Sequence, residues 1–80
     1  MSENLTPDLA LDLKGLLCPM PIVRISQAIK QVAVGGLIQA TATDPGVLAD
    51  IPAWTKSTGN ELVKMERGGG TIIFWIRRAK

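Results

Sequence analysis

The sequence predicts a two-layer α/β sandwich, with elements in the order βαβαββ and two helices on one face of a four-stranded mixed sheet. Three observations carry this expectation. Leu9, Leu11 and Leu13 alternate with Ala10 and Asp12 at the period of a strand. After Pro19 the apolar spacing becomes helical, and Gly35-Gly36 closes it. Near the end, two strand-like runs flank Gly68-Gly69-Gly70, a hairpin signal. Right-handed crossovers between strands that progress in one direction put both helices on the same face.

Residues 1–8 are polar and are expected to form a flexible N-terminal tail, leaving residues 9–80 as a single domain. The first strand is Leu9 to Leu13, and Lys14-Gly15 turns the chain toward Cys18. From Pro19 onward, Ile22, Ile25, Ile29, Val32 and Ala33 fall on one helical stripe, with Arg24, Gln27, Lys30 and Gln31 away from it. Met20 falls on the polar side, beside Cys18. Leu37 to Thr43 reads as the second strand.

Asp44-Pro45-Gly46 then turns the chain, with Asp44 able to cap free N–H groups. Pro52 suits a first helical turn, so 46–49 reads as an irregular turn and 51–58 as the second helix, capped by Asp50 and closed by Gly59. Trp54 lies on its apolar side with Ile51. Residues 61–67 and 71–78 are the last two strands. The final one is apolar on both faces, which suits a central position. With Ile72, Phe74 and Ile76 toward the helices, Ile73 and Trp75 would be partly exposed on the open face, a basis for weak self-association as a homodimer or for a secondary partner surface.

Composition removes several chemistries. The 80 residues contain one cysteine and no histidine. An internal disulfide, a zinc cluster, Cys–His or Ser–His nucleophilic catalysis and imidazole proton shuttling are therefore excluded, and no metal or cofactor is expected. Neither a signal peptide nor an apolar run of membrane-spanning length is visible, so with a free thiol the expected location is the cytoplasm. The net charge of +2 is too small and scattered for a committed nucleic-acid binder.

Cys18 is the one residue with distinctive chemistry. It stands in Leu16-Leu17-Cys18-Pro19-Met20-Pro21, at the head of the first helix. There, unpaired N–H groups and partial positive charge favour a thiolate. The bland alternative is a small apolar residue in the core. An unperturbed thiol of pKa ~8.5 is roughly 7% ionised near neutral pH, and reaching ~70% takes about 2 kcal/mol. A helix terminus supplies ~0.3–1 kcal/mol, and Pro19 and Pro21 remove donors from the first turn. A cation is expected to supply the rest: Lys14 is nearest in sequence, and Arg77 or Arg78 would depend on the fold. Each of the three also reads as an ordinary solvated charge.

Cys-Pro-x-Pro together with Asp44-Pro45, Asp50-Ile51-Pro52, Gly59-Asn60-Glu61-Leu62 and Phe74-Trp75-Ile76-Arg77-Arg78 closely resembles the TusA/SirA family of small sulfur-carrier proteins, from about Leu11 to Arg78. The resemblance implies a sandwich like the C-terminal domain of translation initiation factor 3. It also implies that Cys18 carries a persulfide. The donor protein would be a cysteine desulfurase or rhodanese, and the acceptor a relay protein with its own cysteine. Some relatives have a second cysteine where this chain has Thr55, and any role of that thiol is absent here.

One cysteine suffices for thiol exchange when the partner supplies the other, and the lack of a resolving cysteine favours delivery over release as sulfide. The expected role is thus a sulfurtransferase-type carrier rather than an independent catalyst, serving tRNA thiolation or sulfur oxidation. Lys14, Gly15, Pro19 and Pro21 form the thiol environment, and Met20, Asp44, Asp50 and Arg77 are the candidate partner contacts. The rival readings are an RNA-binding module, suggested by topology and a sequence pI of about 9.0, and a regulatory interaction module without sulfur chemistry. Neither explains the placement of Cys18.

Overall fold

A computed structural model describes residues 6–80. Residues 1–5, most of the expected tail, lie outside the described residues. At its end, Asp8 is fixed to Leu37: its N–H donates to Leu37 O at 2.8 Å, and its Oδ2 accepts the Leu37 N–H at 2.9 Å.

Four strands and two helices follow in the expected order: β1 (Leu9–Leu13), α1 (Met20–Ala28), β2 (Leu37–Ala42), α2 (Val47–Thr58), β3 (Glu61–Gly68) and β4 (Thr71–Arg77). The sheet order is β1-β2-β4-β3. β1 and β2 are parallel, while β4 runs antiparallel to both β2 and β3, so the sheet is mixed with β4 in a central place. One core cluster takes Ile25 from α1, Val47 and Ile51 from α2, and Ala40, Ala42, Ile72, Phe74 and Ile76 from the sheet. Both helices therefore cover the same face, as the crossover rule requires.

The first helix is shorter than its apolar stripe. It gives way to a 3-10 turn at Ile29–Gln31, and Val32 is already extended with φ −106° and ψ 151°. Pro21, Ile25 and Ala28 are its buried residues, and Ile22 and Ile29 pack beside them. Trp54 packs on the main cluster, with its indole N–H donating to Ser26 Oγ at 3.1 Å.

The second helix starts earlier than expected. The segment 46–49 is not an irregular turn: α2 begins at Val47 and carries Pro52 in its interior. The nucleating turn is built by Asp44, whose Oδ1 accepts the Gly46 N–H at 3.1 Å and whose carbonyl accepts the Val47 N–H at 3.2 Å. Asp44 thus caps the entry turn. Asp50 does not cap: it lies in the first turn of α2, with its own N–H on Gly46 O at 3.0 Å.

The β3–β4 turn puts Gly69 and Gly70 at φ +62° and +79°, as a two-residue hairpin of the I′ kind demands. Across the strands, Ile72, Phe74 and Ile76 face the helices as expected. The open face is less exposed than the alternation suggests. Ile73 is half-buried and Trp75 only 9% exposed, with Lys64 opposite it and its Nζ 5.7 Å from the ring centroid. Of the patch expected there, Ile73 is partly exposed and Trp75 is covered, which narrows the stated basis for a homodimer.

Candidate functional site

The chemistry-bearing residues collect where β1 and β2 end. The loop after β1 carries Cys18, the loop after β2 carries Asp44, and the first turn of α2 carries Asp50. Parallel strands bring the loops that leave them to one edge of the sheet, which is why residues distant in sequence meet there.

The loop after β1 is pinned residue by residue. Asp12 Oδ1 accepts the Lys14 N–H at 3.1 Å. Gly15 has φ +82° and donates its N–H to Thr43 Oγ1 at 2.9 Å. Leu16 packs against the core, while Leu17 turns outward at 71% exposure. The Cys18 N–H donates to Asp44 Oδ2 at 2.8 Å. With its other oxygen on Gly46, the Asp44 carboxylate ties the cysteine loop to the entrance of α2.

The thiol itself is exposed, so the core reading of Cys18 fails. Its Sγ donates to Asp50 Oδ2 at 3.1 Å. This contact, together with partial desolvation and the charges of Asp50 and Asp44, pushes the Cys18 thiol up. The expectation of a lowered pKa is therefore corrected, and the causes are local. The Met20 N–H is engaged by Leu17 O at 2.8 Å, and Pro19 and Pro21 have none to offer. The charges that act on the sulfur are carboxylates.

The two arginines are not at the thiol. Arg77 lies where β4 ends beside Leu37, the start of β2, whereas Cys18 lies beyond the other end of β2, about 17 Å away at 3.3 Å per residue. There Arg77 donates to Gly35 O at 3.0 Å and sits 3.9 Å from Glu61, so it joins neither the thiol nor its surroundings. Arg78 is at the same far end, on Val32 O at 2.7 Å. Lys14 is exposed in the cysteine loop.

Pro19 precedes the first turn of α1, and Pro21, inside it, is buried and anchors the helix in the core. Met20 is 40% exposed on the outer side. Leu17, next to Cys18 in the chain, and Val23, three residues along α1 from Met20, are apolar and exposed as well. Sequence reasoning missed Thr43, Leu17 and Val23 as parts of this edge. It also missed the direct contact of Asp50 with sulfur, because that depends on where α2 begins.

Among known proteins, a family model described as "Sulfurtransferase TusA" matches residues 9–78. The sulfur carrier protein TusA of Pseudomonas putida strain GB-1 is 40% identical over 75 residues, covering 94% of each chain. That of Pseudomonas syringae pv. syringae strain B728a is 42% identical over 76 residues, covering 95% of this chain and 90% of the relative. In three dimensions, the crystal structure of a SirA-like protein from Desulfitobacterium hafniense superposes with a TM-score of 0.77 at 19% identity, over 90% of this chain and 99% of the other, and bears on the fold alone. With a match running from the first strand to the last and relatives at this identity over nearly their whole length, the chain belongs to the TusA family.

Proposed function

We propose that this protein is a sulfur carrier that holds a persulfide on Cys18 and relays it between proteins. The observation that carries the reading is a single exposed cysteine, presented on a pinned loop, in a chain of this family. Cys18 Sγ, as thiolate, attacks the terminal sulfur of a donor persulfide. A new S–S bond forms, the donor's S–S bond breaks, and the departing donor thiolate takes the proton Cys18 gave up. In the second half the roles reverse: an acceptor thiolate takes the outer sulfur and Cys18 leaves with its electron pair.

The step is neutral in electrons and needs no further oxidant. A cysteine desulfurase or a rhodanese fits the donor, and a relay protein with its own cysteine fits the acceptor. Either downstream use, tRNA thiolation or sulfur oxidation, draws on the same carrier. A free exposed thiol suits the reducing cytoplasm. Among the described residues, no helix is long and apolar enough to cross a membrane.

Intact-mass measurement tests this after incubation with a cysteine desulfurase and cysteine. The expected result is one reductant-sensitive adduct of about 32 Da, one sulfur atom. It should be absent from Cys18→Ser, which keeps the fold because the thiol lies outside the core. An adduct that survives in the serine variant would overturn the assignment.

A further inference from the structure

The contact between Cys18 and Asp50 is the wrong one for a thiol poised to react. A carboxylate accepts a hydrogen bond only from the neutral thiol. On ionisation the bond is lost, and two anions face each other across 3.1 Å. Asp50 faces the sulfur as a hydrogen-bond acceptor, and that contact favours the protonated thiol.

Nor is the contact a by-product of packing. The neighbouring Ile51 is fully buried, the Asp50 N–H is fixed to Gly46 O, and the side chain is delivered to the sulfur by the first turn of α2. Asp44 differs: its two oxygens already hold the backbone N–H groups of Cys18 and Gly46. Among the described residues, the thiol is the side-chain partner of Asp50.

We infer that Asp50 is a positioning residue that keeps Cys18 as a neutral thiol in the free carrier, so that sulfur enters only from a donor whose own basic side chain pairs with the Asp50 carboxylate. A lysine or arginine of the donor, placed beside its persulfide, removes the anion's hold on the thiol. The proton then leaves with the departing donor thiolate, as in the exchange above. Small persulfides, which dock no cation against Asp50, meet a protonated and less reactive sulfur. Reactivity is thereby tied to docking, and the cargo is protected from indiscriminate exchange. The inference rests on the carrier reading for its donor but not for the state of the thiol.

The test compares the wild type with Asp50→Asn and Asp50→Glu, each checked for folding by circular dichroism. The pH profile of iodoacetamide alkylation should move to lower pH in the Asn variant. Its rate at neutral pH should rise about three- to tenfold as the carboxylate's hold on the proton is removed. The Glu variant should return toward wild type. Sulfur uptake from glutathione persulfide should rise with the alkylation rate, whereas uptake from a cysteine desulfurase should fall.

A second measurement needs no variant. On the wild type, the ratio of rates with a trimethylammonium-ethyl and a sulfonatoethyl methanethiosulfonate should exceed that of free cysteine at least about threefold, from the anionic field. An unmoved pH profile, or a reagent ratio equal to that of free cysteine, overturns the role of Asp50. Desulfurase uptake that rises in parallel with glutathione persulfide overturns the pairing with the donor. Failure of the carrier reading looks different: no sulfur adduct from any donor, with the pH profile still shifted by Asp50→Asn.

Discussion

Cys18 and Asp50 are 32 residues apart in sequence and 3.1 Å apart in space, sulfur to carboxylate oxygen. The pairing exists because α2 starts at Val47 rather than at Ile51, which turns Asp50 from a cap into a side chain projecting from an ongoing helix. It sets the resting state of the thiol. The same exposed position that makes the sulfur accessible to a partner would otherwise leave it open to any oxidant or electrophile.

The pH dependence follows in sign. The folded protein favours the protonated form of Cys18, so the thiolate forms only at higher pH than in a free peptide. Alkylation rate against pH should give a higher midpoint for the folded protein than for the same chain in urea. A folded-state midpoint below that of the unfolded chain would contradict the geometry.

Asp44 should matter more for stability than Asp50. Asp44→Ala leaves the Cys18 and Gly46 N–H groups without their acceptor, at a cost of about 1–2 kcal/mol. Asp50→Ala loses one bond to an exposed thiol and should stay within about 0.5 kcal/mol of wild type. Urea titration of the two variants gives the order directly.

Much of this architecture was legible in the chain. Alternation at Leu9, Leu11 and Leu13, the two-sided apolar run of β4 and the glycine turn at Gly69-Gly70 each reflect a local rule, and the strands lie where those rules put them. The start of α2 was not legible, because Pro52 carries a strong first-turn preference that the helix overrides from within. The thiol's neighbours depend on that register and on the parallel pairing of β1 with β2, both non-local. Helix-terminus reasoning about Cys18 therefore named the right residue and the wrong field. Arg77 was misplaced for the same reason: strand direction, not sequence, decides which end of the sheet it reaches.

Met20 offers a test of the outer surface. It is 40% exposed on α1, so Met20→Lys should change stability by no more than about 0.5 kcal/mol. The same variant should slow sulfur uptake from a protein donor while leaving alkylation by a small reagent nearly unchanged. Equal rates with the donor would remove Met20 from the docking surface.

Two glycines separate steric from conformational demands. At Gly36 an added Cβ would lie 2.8 Å from Ala33 O and 2.9 Å from Val32 Cβ, so Gly36→Ala must displace packed groups, at about 1–3 kcal/mol. At Gly15 the space is open, and Gly15→Ala meets only the left-handed φ of +82°, about 1–2 kcal/mol. Thermal melts should show both losses. Only the Gly15 variant should also alter Cys18 alkylation, through the Thr43 bond.

The central place of β4 has a consequence for synthesis. Of the four strands it leaves the ribosome last, yet β3 has no other partner in the sheet and β2 has only β1 besides. Until Ile72, Phe74 and Ile76 emerge, α2 has no completed floor on which to settle, and an isolated pair of strands is marginal in water. Asp50 therefore cannot reach Cys18 in the nascent chain. The newborn protein carries a bare cysteine, and restraint of that sulfur is acquired only with the final strand.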